Sequence, residues 1–186
     1  PPPPGEAVRV LRVPPIDTDP PHHKRARRMI LPTFSPKAVA ERDEPYTREI
    51  TKRMVDEFVA RFEAGDDIID GAAEYAQQIP PRVIAHLLGV PESMVEQFTD
   101  WVRGVLELGY FDPELRIKSR DAVMNYFIGL VEQRLADPAD DLISEMLHGD
   151  VDGVPITPEE VASTCNLLLV AGIDTTWSSI GSAIYH

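Results

Sequence analysis

Two groups of residues in this 186-residue chain have the types and spacing to do chemistry. The first is AGIDTT, residues 171–176, which interrupts the apolar run LLLV and is followed by Trp177 and more small residues. Polar side chains in such a setting cost free energy unless something pairs with them. On a helix, positions three and four apart share a face, so Ala171, Gly172, Thr175, Ser179 and Ser182 form a strip of small side chains on which a large flat ligand could lie. Glycine lets a ligand approach the backbone, while Asp174 and Thr175 offer a carboxylate and a hydroxyl for proton delivery to a bound group. A plainer reading stays open: Thr175 and Thr176 bond back to carbonyls one turn earlier, Gly172 admits a crossing helix and Asp174 faces water. The second group is DPPHHKRARR, residues 19–28. His23 and Arg27 lie four apart near a helix N-terminus, where the dipole already favours an anion, and the pair suits a carboxylate or phosphate. A solvated basic face, or a docking patch for an acidic protein, accounts for the same residues.

Both groups need helices to hold them, and the rest of the chain reads as helices. Eleven of the 18 prolines fall in the first 45 residues, which predicts extended chain and turns around one short helix, with Asp19 as N-cap and Pro20 and Pro21 in its first turn. Over residues 45–63, Tyr46, Ile50, Met54, Phe58 and Phe62, with Val55 and Val59 beside them, make the apolar stripe of a helix that Gly65 ends. A stretch over 72–88 is kinked or split by Pro80 and Pro81, and LLGVPE supplies a glycine stop and a proline restart. Val95, Phe98, Val102 and Val105 mark the next helix; after the turn LGYFDP, Val123, Phe127, Leu130 and Val131 mark a long one that stops before Pro138. A short helix in ADDLISEML precedes Asp152-Gly153, a tight turn between two very short strands. Thr157, Pro158 and Glu160 form a capping box opening a last helix on the order of 40 Å long.

The expected architecture is therefore mainly α, with at most one very short hairpin: a single partial domain of proline-rich extended chain (1–18), helical bundle (19–149), short turn with strands (150–157) and long helix (158–186). The chain opens without Met and stops inside an apolar-periodic pattern, so both ends read as cut and an internal piece of a longer protein is expected. With 43% hydrophobic residues it is long enough for a real core. A net charge of -13, from 31 acidic and 18 basic residues, excludes a nucleic-acid binder, whose affinity rests on excess Lys and Arg. One cysteine, Cys165, gives no disulfide framework and no CxxC pair, the five histidines lack zinc-ligand spacing, and a reducing cytoplasm fits. No metal site is expected from these side chains. The run 167–170 is too short to cross a bilayer, so no membrane span is expected.

Taken together the motifs are specific. DPPHHKRARR resembles the helix of cytochrome P-450 haem-thiolate monooxygenases that reads D-P-P-x-H-x-x-x-R, and FSP follows at the family's usual distance. AGIDTT matches that family's long central helix motif, (A/G)-G-x-(D/E)-T-(T/S), at every position, and LLGVP is similar to the segment before the substrate-covering helices. The resemblance runs from about residue 14 to 184 and is nearest to soluble bacterial members. It implies a P-450 fold from the haem-propionate helix through the oxygen-binding helix. It implies that His23 and Arg27 hold haem propionates, that Ala171 and Gly172 pack on the distal haem face, and that Asp174 and Thr175 deliver protons during oxygen activation. It also implies a small apolar substrate, O2, and NAD(P)H electrons arriving through a ferredoxin, a flavodoxin or a fused reductase. The segment 1–16, the turn LELGYFDP and the residues around Leu168 are expected to border the pocket. The family's ExxR helix and its cysteine loop are absent from these residues, and Cys165, in an apolar run, is expected to be a buried hydrophobe and not the iron ligand. This piece alone is expected to be inactive. The rival from another class is an all-helical binding or regulatory domain whose basic helix docks an anion without redox chemistry; a weaker one is a peroxide-using relative.

Overall fold

Prolines, glycines and capping side chains set the element boundaries, because a proline ring removes a donor and a left-handed residue ends a helix. A computed structural model describes residues 13–186 of the chain. Of the segment expected to run extended over 1–18, residues 1–12 therefore lie outside the described residues; residues 13–17 fold into a turn, in which Val13 N–H donates to Asp17 Oδ2 at 2.7 Å and Ile16 N–H to the Val13 carbonyl at 3.0 Å. Helix α1, His22–Ile30, has Pro21 before it and no side-chain cap. This corrects the Asp19 N-cap: Pro21 has no N–H to offer it, the helix begins only at His22, and it is the Asp19 carbonyl that accepts, from His23 N–H at 3.1 Å.

A single turn α2, Pro36–Ala38, capped by Ser35, widens through Val39–Asp43 into α3, Glu44–Glu63, and Gly65 follows at φ 108°. The prolines at 80 and 81 split the next stretch as expected. A wide turn Gly71–Tyr75 capped by Asp70 and a tight one Ala76–Gln78 lead into α4, Ile79–Leu87, whose first turn holds both prolines. Helices α5, Val95–Leu106, α6, Pro113–Ala136, and α7, Leu142–Leu147, follow, the last two capped by Asp112 and Asp141. Strands β1, Asp150–Val151, and β2, Val154–Pro155, pair antiparallel around Asp152 and Gly153, both at positive φ as the mirror-image turn requires. Helix α8, Pro158–Tyr185, opens on the complete Thr157–Glu160 capping box. The mainly α architecture with one hairpin is what the patterning implied.

The core forms where α8 crosses α4, α5 and α6. Phe98, Val102, Val123, Phe127, Val131, Leu169 and Ile173 are fully buried there. Each side chain of this size contributes roughly 1.5–3 kcal/mol by leaving water. Gly104 of α5 lies against Ser119 of α6, so close that a side chain at 104 would collide with the serine hydroxyl. The stripe on α3 is only partly used: Ile50 and Met54 are buried with Ile79, but Val55, Val59 and Phe62 are 45–62% exposed, because α3 meets the rest of the fold through its middle, near Tyr75, Val83 and Ile180. By length and hydropathy α8 does pass the test for a bilayer span, which the short run 167–170 did not suggest. Its first half is nevertheless packed among three helices, the setting of a core helix.

One buried ion pair ties the loop LLGVP to the far side of the core. Arg134 near the end of α6 reaches Asp141 at 2.5 Å, with the two side chains 13% and 2% exposed, and its Nη2 donates to the Gly89 carbonyl at 3.3 Å. Asp141 also caps α7 through Ser144 N–H at 2.8 Å. Gly89 has φ 64°, and a Cβ there would collide with Asp141. Gly89→Ala is therefore expected to lower unfolding free energy by about 2–4 kcal/mol, from left-handed strain plus overpacking, measured by denaturant titration. Arg134→Ala leaves a carboxylate buried without its partner and is expected to cost about 3–5 kcal/mol in the same titration. An unchanged midpoint for Arg134→Ala would show that water reaches Asp141 and replaces the guanidinium.

Candidate functional site

The candidate site is built on α8 and begins at its cap. Thr157 Oγ1 accepts from Glu160 N–H at 3.2 Å, and Glu160 Oε2 accepts from Thr157 N–H at 2.9 Å. The same carboxylate holds α1. Arg25 Nε donates to Glu160 Oε1 at 2.5 Å and Nη2 to Oε2 at 2.9 Å, a planar two-point pairing, while Nη2 also donates to the Pro155 carbonyl at 2.8 Å and Nη1 to the Val154 carbonyl at 3.4 Å. The hydrogen bonds from Arg25 hold the Glu160 carboxyl below its ordinary value, and the same bonds raise the guanidinium. Arg28, one turn on, pairs with Asp152 at the hairpin tip. Ala26, Met29 and Ile30 are the buried side of α1. A cavity of about 400 Å³ lies between α1, the turn at Pro14 and Thr18, and the first turns of α8 at Glu160 and Thr164.

At about 100° per residue, Glu160, Thr164, Ala171, Thr175 and Ser182 recur on one side of α8. α1 covers the start of that side, and Ala171 lies about 10 Å further along it than Thr164. From there Ala171, Thr175, Ser179 and Ser182 are exposed, a ledge without large side chains. The hydroxyls are turned back onto the helix: Thr175 Oγ1 donates to the Ala171 carbonyl at 2.9 Å, Ser179 Oγ to the Thr175 carbonyl at 2.8 Å and Ser182 Oγ to the Ser178 carbonyl at 2.8 Å. The plainer reading of Thr175 therefore describes where its proton goes, and two lone pairs remain to accept. Gly172 departs from the expected strip. It faces α4, where a Cβ would stand 2.8 Å from Ile84 Cδ1, so this glycine lets two helices close on each other. Asp174 is half-buried and has no side-chain hydrogen bond or ion pair among the described residues.

His23 and Arg27 stand on the flank of α1 about 160° around from Arg25. Arg25 and Arg28 turn toward the hairpin, so the opposite flank turns away from it. His23 is half-buried and Arg27 exposed, and neither side chain has a hydrogen bond or ion pair among the described residues. Two basic side chains and a ledge of small residues thus remain uncommitted among the described residues. That is a fit for a flat ligand with an anionic rim. Among the described residues no group of three His, Cys, Asp or Glu could hold an ion, and Cys165 is fully buried, where desolvation pushes its thiol far up. Sequence reasoning did not find Arg25, because 135 residues separate it from Glu160 and only the capping box marked the acid.

No family model matches the sequence. Curated relatives do. Mycinamicin IV hydroxylase/epoxidase of Micromonospora griseorubida is 31% identical over 170 residues, 91% of this chain and 42% of its own length. Steroid C26-monooxygenase of Rhodococcus jostii (strain RHA1) is 33% identical over 180 residues, 95% of this chain and 36% of its own length. Among solved structures, a mutant of the mixed-function P-450 MycG in complex with mycinamicin V superposes with a TM-score of 0.76 at 31% identity, covering 91% of this chain and 42% of that one. P-450 BioI in complex with a fatty-acyl-ligated acyl carrier protein gives a TM-score of 0.77 at 28% identity, covering 91% and 43%. The chain spans about two fifths of the length of the relatives it matches. With sequence and backbone aligning over nine tenths of its residues, this chain belongs to the cytochrome P-450 family.

Proposed function

We propose that these residues form the propionate-holding and oxygen-facing part of a haem-dependent monooxygenase that hydroxylates a small or medium apolar molecule. Its electrons come from NAD(P)H through a ferredoxin, a flavodoxin or a fused reductase, and its setting is the cytoplasm. The observation that carries this reading is the exposed ledge of small residues from Ala171 to Ser182, within a chain of this family. A bound haem supplies the oxygen-activating redox chemistry. The chain's own residues do the rest. His23 and Arg27 donate charge-assisted hydrogen bonds to the acidic rim. Ala171 presents no more than a methyl group, so a flat ligand lies close to the helix. Gly172 supports the ledge from behind by admitting Ile84 of α4.

Thr175, whose proton rests on the Ala171 carbonyl, accepts a hydrogen bond from water or a ligand on the ledge and holds it one turn from Ala171. Asp174, without an internal partner, carries a proton between solvent and that point. The thiolate that completes such a centre comes from outside these 186 residues, and the chain alone is without activity. The rival reading, a basic helix that docks an anionic partner, has less to work with, because Arg25 and Arg28 are already committed to Glu160 and Asp152.

In the intact enzyme, Thr175→Ala is expected to cut product formed per NAD(P)H consumed by about tenfold while haem content stays near wild type. Simultaneous measurement of oxygen uptake and product checks this, and unchanged coupling counts against the proton-handling role. His23→Ala combined with Arg27→Ala is expected to accelerate haem transfer to apomyoglobin by about tenfold or more, since two charge-assisted bonds are lost. A double variant that keeps its haem as long as wild type would remove the propionate assignment.

A further inference from the structure

We propose that Arg25 is a positioning residue: by gripping the cap of α8 and the hairpin together, it sets the rotation of α1 that turns His23 and Arg27 toward the ledge. This deepens the reading above and rests on it. Arg25 uses its guanidinium without remainder on fixed acceptors: both Glu160 oxygens, at 2.5 and 2.9 Å, and the carbonyls of Pro155, Val154 and Val151 at 2.8, 3.4 and 3.5 Å. A helix held by one apolar face can roll about its axis, because dispersion contacts have little directionality. A planar fork on a carboxylate cannot, because both N–H groups must meet both oxygens.

The acceptors are themselves held by other bonds. Glu160 is fixed by the capping box, and the carbonyls belong to β2 and the end of β1. Arg28 adds a second tie one turn along, to Asp152. Because His23 and Arg27 lie about 160° around α1 from Arg25, a roll that freed Arg25 would swing that pair away from the ledge by the same angle. Arg25 touches neither ledge nor ligand, and it acts through the other two.

The test is a double-mutant comparison on the full-length haem protein, read as the rate of haem transfer to apomyoglobin with thermal midpoints measured alongside. Arg25→Gln is expected to speed transfer by about tenfold, and Arg25→Lys does not restore the wild-type rate, because an ammonium cannot form the two-point pairing. Adding Arg25→Gln to His23→Ala with Arg27→Ala gives no further acceleration if Arg25 acts through them; a merely structural contribution would add in full, and full additivity overturns the proposal. Glu160→Gln, which keeps the cap oxygen and drops the charge, is expected to speed transfer in the same direction and serves if Arg25→Gln folds poorly. A wild-type rate for both Arg25→Gln and Glu160→Gln, with His23→Ala and Arg27→Ala still accelerating loss, overturns this inference alone. No acceleration from His23→Ala with Arg27→Ala overturns the propionate reading and this proposal together.

Discussion

The Glu160 carboxylate is asked to do two jobs at once, and the geometry around the ledge depends on its doing both. Toward its own helix it closes the capping box, satisfying the Thr157 N–H at the start of α8. Across space it receives the Arg25 fork and anchors α1. The two roles reinforce each other, since a carboxylate already oriented by the cap loses little further freedom when the guanidinium arrives. The hydrogen bonds from Arg25, with that from Thr157 N–H, hold its carboxyl below the ordinary value. Both partners are less than a third exposed, so the pair stands between an exposed surface bridge and a buried one.

The ledge is defined by what surrounds it as much as by its own residues. One side of α8 sinks into α4, α5 and α6 through Val161, Leu169 and Ile173, all fully buried. Gly172 permits the approach of α4 by leaving room for Ile84. Between Ala171 and Ser182 the opposite side presents the small residues Ala171, Thr175, Ser179 and Ser182, with the last three hydroxyls folded onto carbonyls four residues back. Such self-satisfied hydroxyls place polar atoms on a surface without demanding water, which suits a face meant to lie against something flat.

Further from the ledge, the Arg134 and Asp141 pair fastens the LLGVP loop, α6 and α7 into one unit. This explains a glycine that local reasoning treated as a helix stop. Gly89 does end α4 with positive φ, yet its missing side chain also lets Asp141 sit where it can meet Arg134. The same economy recurs at Gly104, which lets α5 and α6 touch at Ser119.

The amino-acid sequence by itself determined the element types and most of their limits, because caps, prolines and apolar periods act within a turn or two of chain: the Thr157 box, the Asp152-Gly153 turn and the long helices all stand where local chemistry puts them. The motifs at 19–28 and 171–176 named the family before any contact was known. Where Pro21 removed a donor and the helix began only at His22, the local rule failed at Asp19. Only the tertiary structure decided which apolar residues of α3 are covered, that Gly172 serves a helix crossing, and that Arg25 meets Glu160. Those outcomes depend on which faces meet across more than a hundred residues, and a side chain's own neighbours in sequence carry no record of the partner it will find in space.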